Sequence, residues 1–304
     1  MTADRNVRQK IIGRLALVGT TLIWGSSFVI LKNVLDSVST LYILAIRFTG
    51  AAILTALIGI KELRKMDTGY IKSGVLMGVF LFAAYALQTF GLVHTTPGKN
   101  AFLTAIHAVI VPFLGWAIYK KKPDVFNISA GFMAIAGIGL VSLNDDLRMG
   151  IGEILTTFCG LFFAIHILLT SRMVEKRSVM LLNMVQFATV AALSWFFALI
   201  TEPFPKDIPV DSYLSIAYLC VMCTTVCYFL QTLGQKYTPP ATVAIILTLE
   251  SVFGTAISVM FYGEKLSLRL IMGFLLIFLA VLISETKLSF IREKMSASKD
   301  YSLQ

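Results

Sequence analysis

Ten apolar blocks, each about 20 residues long and set apart by short charged clusters, leave this chain few ways to fold. A helix of about 20 residues crosses the roughly 30 Å hydrocarbon core of a bilayer and satisfies its own backbone polar groups there. Barrel strands would instead need alternating segments of about 10 residues, which the sequence does not contain. The blocks fall at about 13–33, 40–60, 71–93, 100–119, 126–143, 150–172, 180–201, 212–235, 238–262 and 267–286. With 57% of its 304 residues hydrophobic and 14% charged, and with short connections, the chain has no room for a soluble domain. The expected fold is an all-α integral membrane protein of ten transmembrane helices.

The formal charge of +9 invites a nucleic-acid partner, but its distribution argues against one. Nineteen of the 26 Lys and Arg lie in the loops and tails on the side of the N-terminus, from Arg5, Arg8 and Lys10 through Lys120, Lys121 and Lys122 to Lys299. Six lie on the other side and Arg47 lies within a span. By the positive-inside rule both termini are expected to be cytoplasmic, in a multi-pass protein of the plasma or inner membrane. Basic side chains near the surface also favour anionic lipid heads. The N-terminal apolar run is longer than a signal core and lacks a clear cleavage site, so it is expected to stay as the first span. All four cysteines sit inside spans, where no extracellular disulfide framework can form. No metal or cofactor is expected.

Polar residues at membrane depth mark the interior. Glu250 lies near the middle of the ninth block, where a carboxylate costs on the order of 3 kcal/mol. Such a residue faces a partner, a wet cavity or a substrate; a purely structural bond to a neighbouring helix competes with these roles. Thr248, Ser251, Thr255 and Ser258 form a stripe of small residues suited to close helix packing. Trp24 is too deep for an interfacial aromatic and lines either a cavity or a helix seam. Arg47 lies roughly 10 Å below the outer surface by helix rise, within reach of water by snorkelling. Tyr85 and Gln88 share a face of the third span, after a Gly74-x-x-x-Gly78 packing motif. Asn100, Thr104 and His107 make a polar stripe on the fourth, which Pro112 is expected to kink. Cys159, Phe163, His166 and Thr170 share a face of the sixth span; Asn183 and Gln186 do so on the seventh. Each of these polar groups also has a plainer reading as interhelical glue. The fifth and tenth spans are apolar at depth and read as scaffolding, or as a dimer surface.

The second half of the chain repeats the first. Tyr85-Ala-Leu-Gln-Thr-Phe-Gly91 matches Tyr228-Phe-Leu-Gln-Thr-Leu-Gly234 at an offset of 143, and the register continues through Thr95/Thr238, Pro97/Pro240 and Tyr119/Tyr262. Arg47-Phe48 matches Gln186-Phe187 at an offset of 139. A five-span unit duplicated in tandem must invert, because an odd number of crossings returns the chain on the opposite face. Two inverted-topology five-helix repeats are therefore expected, over residues 1–146 and 147–287, with 288–304 as a cytoplasmic tail. Inverted repeats of this kind place a substrate site near the midplane where they meet. Under the 143 offset His107 falls opposite Glu250. Thr224, Tyr228 and Gln231 carry the Tyr85/Gln88 face into the second repeat.

Leu22-Ile-Trp-Gly-Ser-Ser-Phe28, Arg47-Phe48, Thr96-Pro-Gly-Lys-Asn-Ala-Phe-Leu-Thr104, Leu249-Glu250 and Gly263-Glu264 resemble the drug/metabolite transporter (DMT) superfamily, EamA type. The resemblance covers nearly the whole chain as two tandem EamA units. It implies a ten-span carrier of amino acids, metabolites and related solutes, with a central cavity lined by spans one, three, four, six, eight and nine. Two positions depart from it. Ser251 stands where many members have Pro after the Glu, and Lys121 where the first half often ends in Glu.

The expected function is secondary transport of a small metabolite, an amino acid or related solute, by alternating access. The substrate-binding candidates are Trp24, Tyr85, Gln88, Asn100, Thr104, His107, His166, Tyr228, Gln231 and Glu250. Aromatic walls with a few amides and one carboxylate suit such a solute, with Glu250 pairing an amine or carrying a coupling proton. The partners implied are the solute, membrane lipids and protons; the chain is a monomer or homodimer. A receptor, channel or intramembrane enzyme without a transport cycle is the competing class. An intramembrane aspartyl protease needs two Asp within spans, a prenyl-type transferase needs Asp-rich Mg²⁺ motifs, and an ATP-driven pump needs a phosphate-binding loop; the sequence has none of these.

Overall fold

The computed structural model describes residues 2–120, 124–142 and 149–286. The spans form helices Thr2–Val34, Thr40–Ile58, Thr68–Val93, Pro97–Thr104 with His107–Tyr119, and Val125–Ser142 in the first repeat. In the second they are Ile151–Val174, Val179–Thr201, Val210–Tyr237, Pro240–Ile257 with Ser258–Tyr262, and Leu268–Thr286. Eight are long and apolar enough to cross a membrane; the apolar stretches of spans five and ten, Val125–Val141 and Leu268–Ile283, are shorter. Large side chains such as Phe132, Ile200 and Phe261 point outward at 71%, 67% and 74% exposure, which a protein in water would bury and a protein in lipid need not.

Local chemistry sets the ends of the helices. Asp67 caps span three by accepting from the Tyr70 amide at 2.8 Å, and Thr96 caps span four ahead of Pro97. Span two is capped from outside itself. The Glu202 carboxylate, at the end of span seven, accepts from the Leu41 and Tyr42 amides at 2.9–3.3 Å.

Span four is interrupted ahead of its proline. Pro112 lies inside a continuous helix, and the irregular turn is at Ala105 and Ile106. There the Ile106 and Ala108 amides bond three residues back, to Leu103 and Ala105, so the Thr104 carbonyl is left to the His107 ring. The helix yields where a side chain can take over the freed carbonyl. Span eight also departs from regularity, with a π-helical stretch at Val221–Val226.

The two repeats interlock. Span one packs on spans eight and nine, span six on three and four, span two on seven, and span five on ten. Repeat-equivalent residues touch directly: the Tyr85 and Tyr228 hydroxyls are 3.1 Å apart, and the Phe48 and Phe187 rings are 5.8 Å apart. A pseudo-twofold axis therefore passes between these pairs. Small residues make the close crossings. A Cβ on Gly25 would stand 2.6 Å from that of Phe253, and one on Gly74 would stand 2.4 Å from that of Val185. Thr248, Ser251, Thr255 and Ser258 are all buried, as their packing role requires.

Candidate functional site

A narrow cavity of about 30 Å³ lies beside that axis. Span one contributes Trp24, Ser27, Phe28 and Leu31, span two Arg47, and span three Tyr85 and Gln88. Asn100, Thr104 and His107 come from span four, Phe163 and Ile167 from span six, Gln231 from span eight, and Leu247 and Glu250 from span nine. Eight of the ten candidate residues thus share one cavity.

The other two stand behind its wall. Tyr228 donates to the Tyr85 hydroxyl and packs edge-on against Trp24 at 5.2 Å and Phe187 at 5.6 Å. His166 bonds Gln186 Oε1 at 2.9 Å; Gln186 Nε2 donates to Asn183 Oδ1 at 2.7 Å, and Thr232 donates to the same oxygen at 2.9 Å. This chain joins spans six, seven and eight and is the interhelical glue that those residue types suggest. Its link to the cavity is the Tyr228 ring, 6.1 Å from His166.

Arg47 is the residue that sequence reasoning placed least well. It does not snorkel. The side chain is 1% exposed and turns inward, with Nε on Thr224 Oγ1, Nη2 3.3 Å from the Cys223 carbonyl and 3.4 Å from the Tyr85 hydroxyl, and its guanidinium 4.9 Å from the Tyr85 ring centre. The π-helical stretch of span eight makes this possible. It presents the Cys223 carbonyl sideways, where it also accepts from the Trp24 indole at 2.7 Å. Trp24 is therefore both cavity wall and seam. The alignment of Arg47 with Gln186 was the available signal, since both positions lie beside the axis.

Glu250 is half-buried and makes no hydrogen bond or ion pair among the described residues. Arg47 faces the same space and acts on it through its charge, with no salt bridge between the two. On span four, the Asn100 amide donates to the Gln88 carbonyl at 3.1 Å and to Thr156 Oγ1 at 2.7 Å, leaving Oδ1 without a donor. His107 Nδ1 donates to the Thr104 carbonyl at 2.8 Å, because a carbonyl can only accept; Nε2 is left without a partner. Gln231 Oε1 is buried and unpartnered as well. Among the described residues the site thus holds one cation with most of its donors engaged, one open carboxylate, and three unsatisfied polar atoms.

At the end away from the N-terminus the loop before span four is tied down. Lys32 donates to the carbonyls of Leu92, Val93 and Thr95 at 2.6–3.0 Å. Glu153 accepts from Thr95 Oγ1 at 3.0 Å and pairs with Lys99 at 3.4 Å. Glu264 binds Thr96 Oγ1, the Gly98 amide at 2.9 Å and Ser258 Oγ at 2.5 Å. Three charged side chains from spans one and six and the loop after span nine converge on one loop.

A membrane-embedded inverted repeat of ten helices around a polar central cavity is the architecture of a solute carrier. The chain belongs to the EamA-like transporter family, which it matches twice, over residues 11–143 and 150–286. An uncharacterized transporter of Archaeoglobus fulgidus is 31% identical over 275 residues, covering 90% of this chain and 86% of its own. A second uncharacterized transporter of that organism is 24% identical over 262 residues, 83% of this chain and 89% of its own. A crystal structure of a protein 13% identical superposes with a TM-score of 0.70, covering 92% of this chain and 98% of that one; the likeness is one of fold.

Proposed function

We propose that the chain is a secondary transporter that moves an amino acid or related small solute across the plasma or inner membrane by alternating access, with both termini cytoplasmic. Residues 1–146 and 147–287 act as the two repeats that rock about the axis, and the tail at 288–304 lies outside the described residues. One observation carries the choice of solute. Arg47 and Glu250 line one cavity at membrane depth without a direct salt bridge between them. A guanidinium and a carboxyl group held apart in a low-dielectric site each have room for a closer partner, and a solute bearing both an ammonium and a carboxylate supplies one to each. Trp24, Phe28 and Phe163 supply apolar walls for the body of such a solute, and Asn100, His107 and Gln231 supply further polar contacts. Glu250 meets the amine or carries the coupling proton. Purified protein in proteoliposomes, preloaded with unlabelled amino acids, should show counterflow of labelled ones; equal flux in protein-free liposomes would refute the reading.

A further inference from the structure

A second space of about 690 Å³ lies at the membrane end that carries the N-terminus. Lys10, Arg172 and Lys236 line it against the single acid Glu175, with Ser171, Gln235 and Thr238 at its inner wall. It sits on the same helices as the central cavity, one turn further along. Ile167 and Gln231 face the centre, whereas Ser171 and Gln235, four residues on, face this second space. The partition between the two is thus a single helical turn thick on spans six and eight. Gln235 crosses it: its buried Nε2 donates to the Ile167 carbonyl and to Ser171 Oγ, both at 3.2 Å.

The repeat gives this bond a counterpart. At the offset of 143, Gln235 corresponds to Leu92, whose carbonyl takes the Lys32 ammonium at 2.6 Å. The same helix types, one with three and six with eight, are thus tied at opposite membrane faces. The loops differ, however. Thr95 Oγ1 is held by Glu153, while its equivalent Thr238 Oγ1 is buried with no partner among the described residues, and so is Gln235 Oε1. The far-end loop is held by carboxylates; among the described residues the partition between the two spaces is crossed by a neutral amide.

We propose that this second space is a vestibule on the solute path, receiving the anionic end of the solute on Lys10, Arg172 and Lys236, and that Gln235 is the bolt between it and the central cavity. The proposal rests on the carrier reading, but its test does not depend on flux. Thr238→Cys reports on the vestibule and Ser27→Cys on the central cavity, each measured against the background of the four buried native cysteines. The probes are two methanethiosulfonate reagents, one ending in a sulfonate and one in a trimethylammonium group, applied from the face bearing the N-terminus.

Thr238→Cys should react faster with the anionic reagent, and the preference should fall when Arg172→Gln and Lys236→Gln are added. Adding Gln235→Ala should raise the reaction rate of Ser27→Cys from that face by about 10-fold, the weight of one or two net hydrogen bonds, and leave the rate from the opposite face unchanged. If Gln235→Ala does not fold, Ser171→Ala removes one of the two bonds and should give a smaller rise of the same kind. No rise at Ser27→Cys, an equal rise from both faces, or no preference for the anionic reagent at Thr238→Cys would overturn the proposal. A protein that labels as expected but carries no amino acid would instead keep the vestibule and refute the carrier reading.

Discussion

Tyr85 and Tyr228 occupy the same position in the two repeats, 143 residues apart, and meet hydroxyl to hydroxyl at 3.1 Å. A contact between equivalent residues requires the pseudo-twofold axis to pass between them. The charged residues around that axis do not repeat across it. Arg47 stands opposite Gln186, and His107 opposite Glu250. Duplication supplied a symmetric frame, and substitution placed a cation in one half and a carboxylate in the other.

Glu250→Gln keeps the shape of the side chain and removes its charge. The protein should insert and keep its thermal stability, since an amide costs less to hold in the membrane than a carboxylate. Transport should fall roughly 10-fold or more, the scale of one charge-assisted contact worth about 1.5–3 kcal/mol. If Glu250 carries the proton, the pH profile of the residual flux flattens; if His107 does, it keeps its shape. Full flux with unchanged affinity and pH profile would reduce Glu250 to a packing residue.

Arg47→Lys should fail despite keeping the charge. Lysine has no planar fork with which to reach Thr224, the Cys223 carbonyl and the Tyr85 hydroxyl together. Losing a buried charged donor from such a set costs about 1.5–3 kcal/mol, so the melting temperature in detergent should drop by several degrees along with transport. A melting temperature equal to the parent's would mean that these contacts do not hold the span-two/span-eight junction.

Much of this was legible in the sequence, because a bilayer allows few alternatives. Apolar block length dictated the spans, and the odd number of spans per repeat dictated the inversion. Periodicity on spans three and four put Tyr85, Gln88, Asn100, Thr104 and His107 on inward faces, where the cavity has them. The depth of Tyr228 and His166 was readable, but not which side of the cavity wall they occupy, because that depends on how neighbouring helices rotate. Arg47 was ambiguous for a similar reason. Snorkelling and burial have comparable cost until a partner is known, and its partner is a carbonyl presented by π-helical backbone that no residue pattern announced. The interruption at Ala105 and Ile106 was not legible, because it depends on the His107 ring taking up the Thr104 carbonyl.

Spans five and ten should tolerate change without altering substrate preference. Ala134, 1% exposed, packs in a cluster with Ala280 and Val281, so Ala134→Leu overpacks that seam at a cost of about 1–3 kcal/mol. Leu279 is 45% exposed on the lipid-facing side, so Leu279→Ala should change melting temperature little. In both, the apparent KM of the surviving protein should match the parent's. A changed KM would mean that the solute path reaches these spans.

The charge asymmetry predicts which loops a membrane-impermeant thiol reagent can reach in intact cells. Pro205→Cys and Asp145→Cys should label from outside, and Lys121→Cys only after the membrane is permeabilised. Positions 121 and 145 lie outside the described residues, so this prediction rests on charge and span count alone. External labelling at Lys121→Cys would invert the whole assignment.

Glu264 ties the far end of the path to span four, and its removal should bias the carrier toward opening there. The carboxylate accepts from the Gly98 amide at 2.9 Å and from Ser258 at 2.5 Å, and it also binds Thr96. Glu264→Gln keeps one acceptor but replaces the other with a donor, which cannot bond an amide N–H. A net loss of about 1–2 kcal/mol would shift a balance between closed and open far ends by roughly 5- to 30-fold toward the open form. Ser27→Cys should then label faster from the far face, the reverse of what Gln235→Ala does from the near one. Glu153→Gln, which loosens the same loop through Thr95 and Lys99, should add to the effect only in part, because both carboxylates hold one segment. Unchanged labelling from the far face in both variants would show that this loop is a fixed strut and that the far gate lies elsewhere.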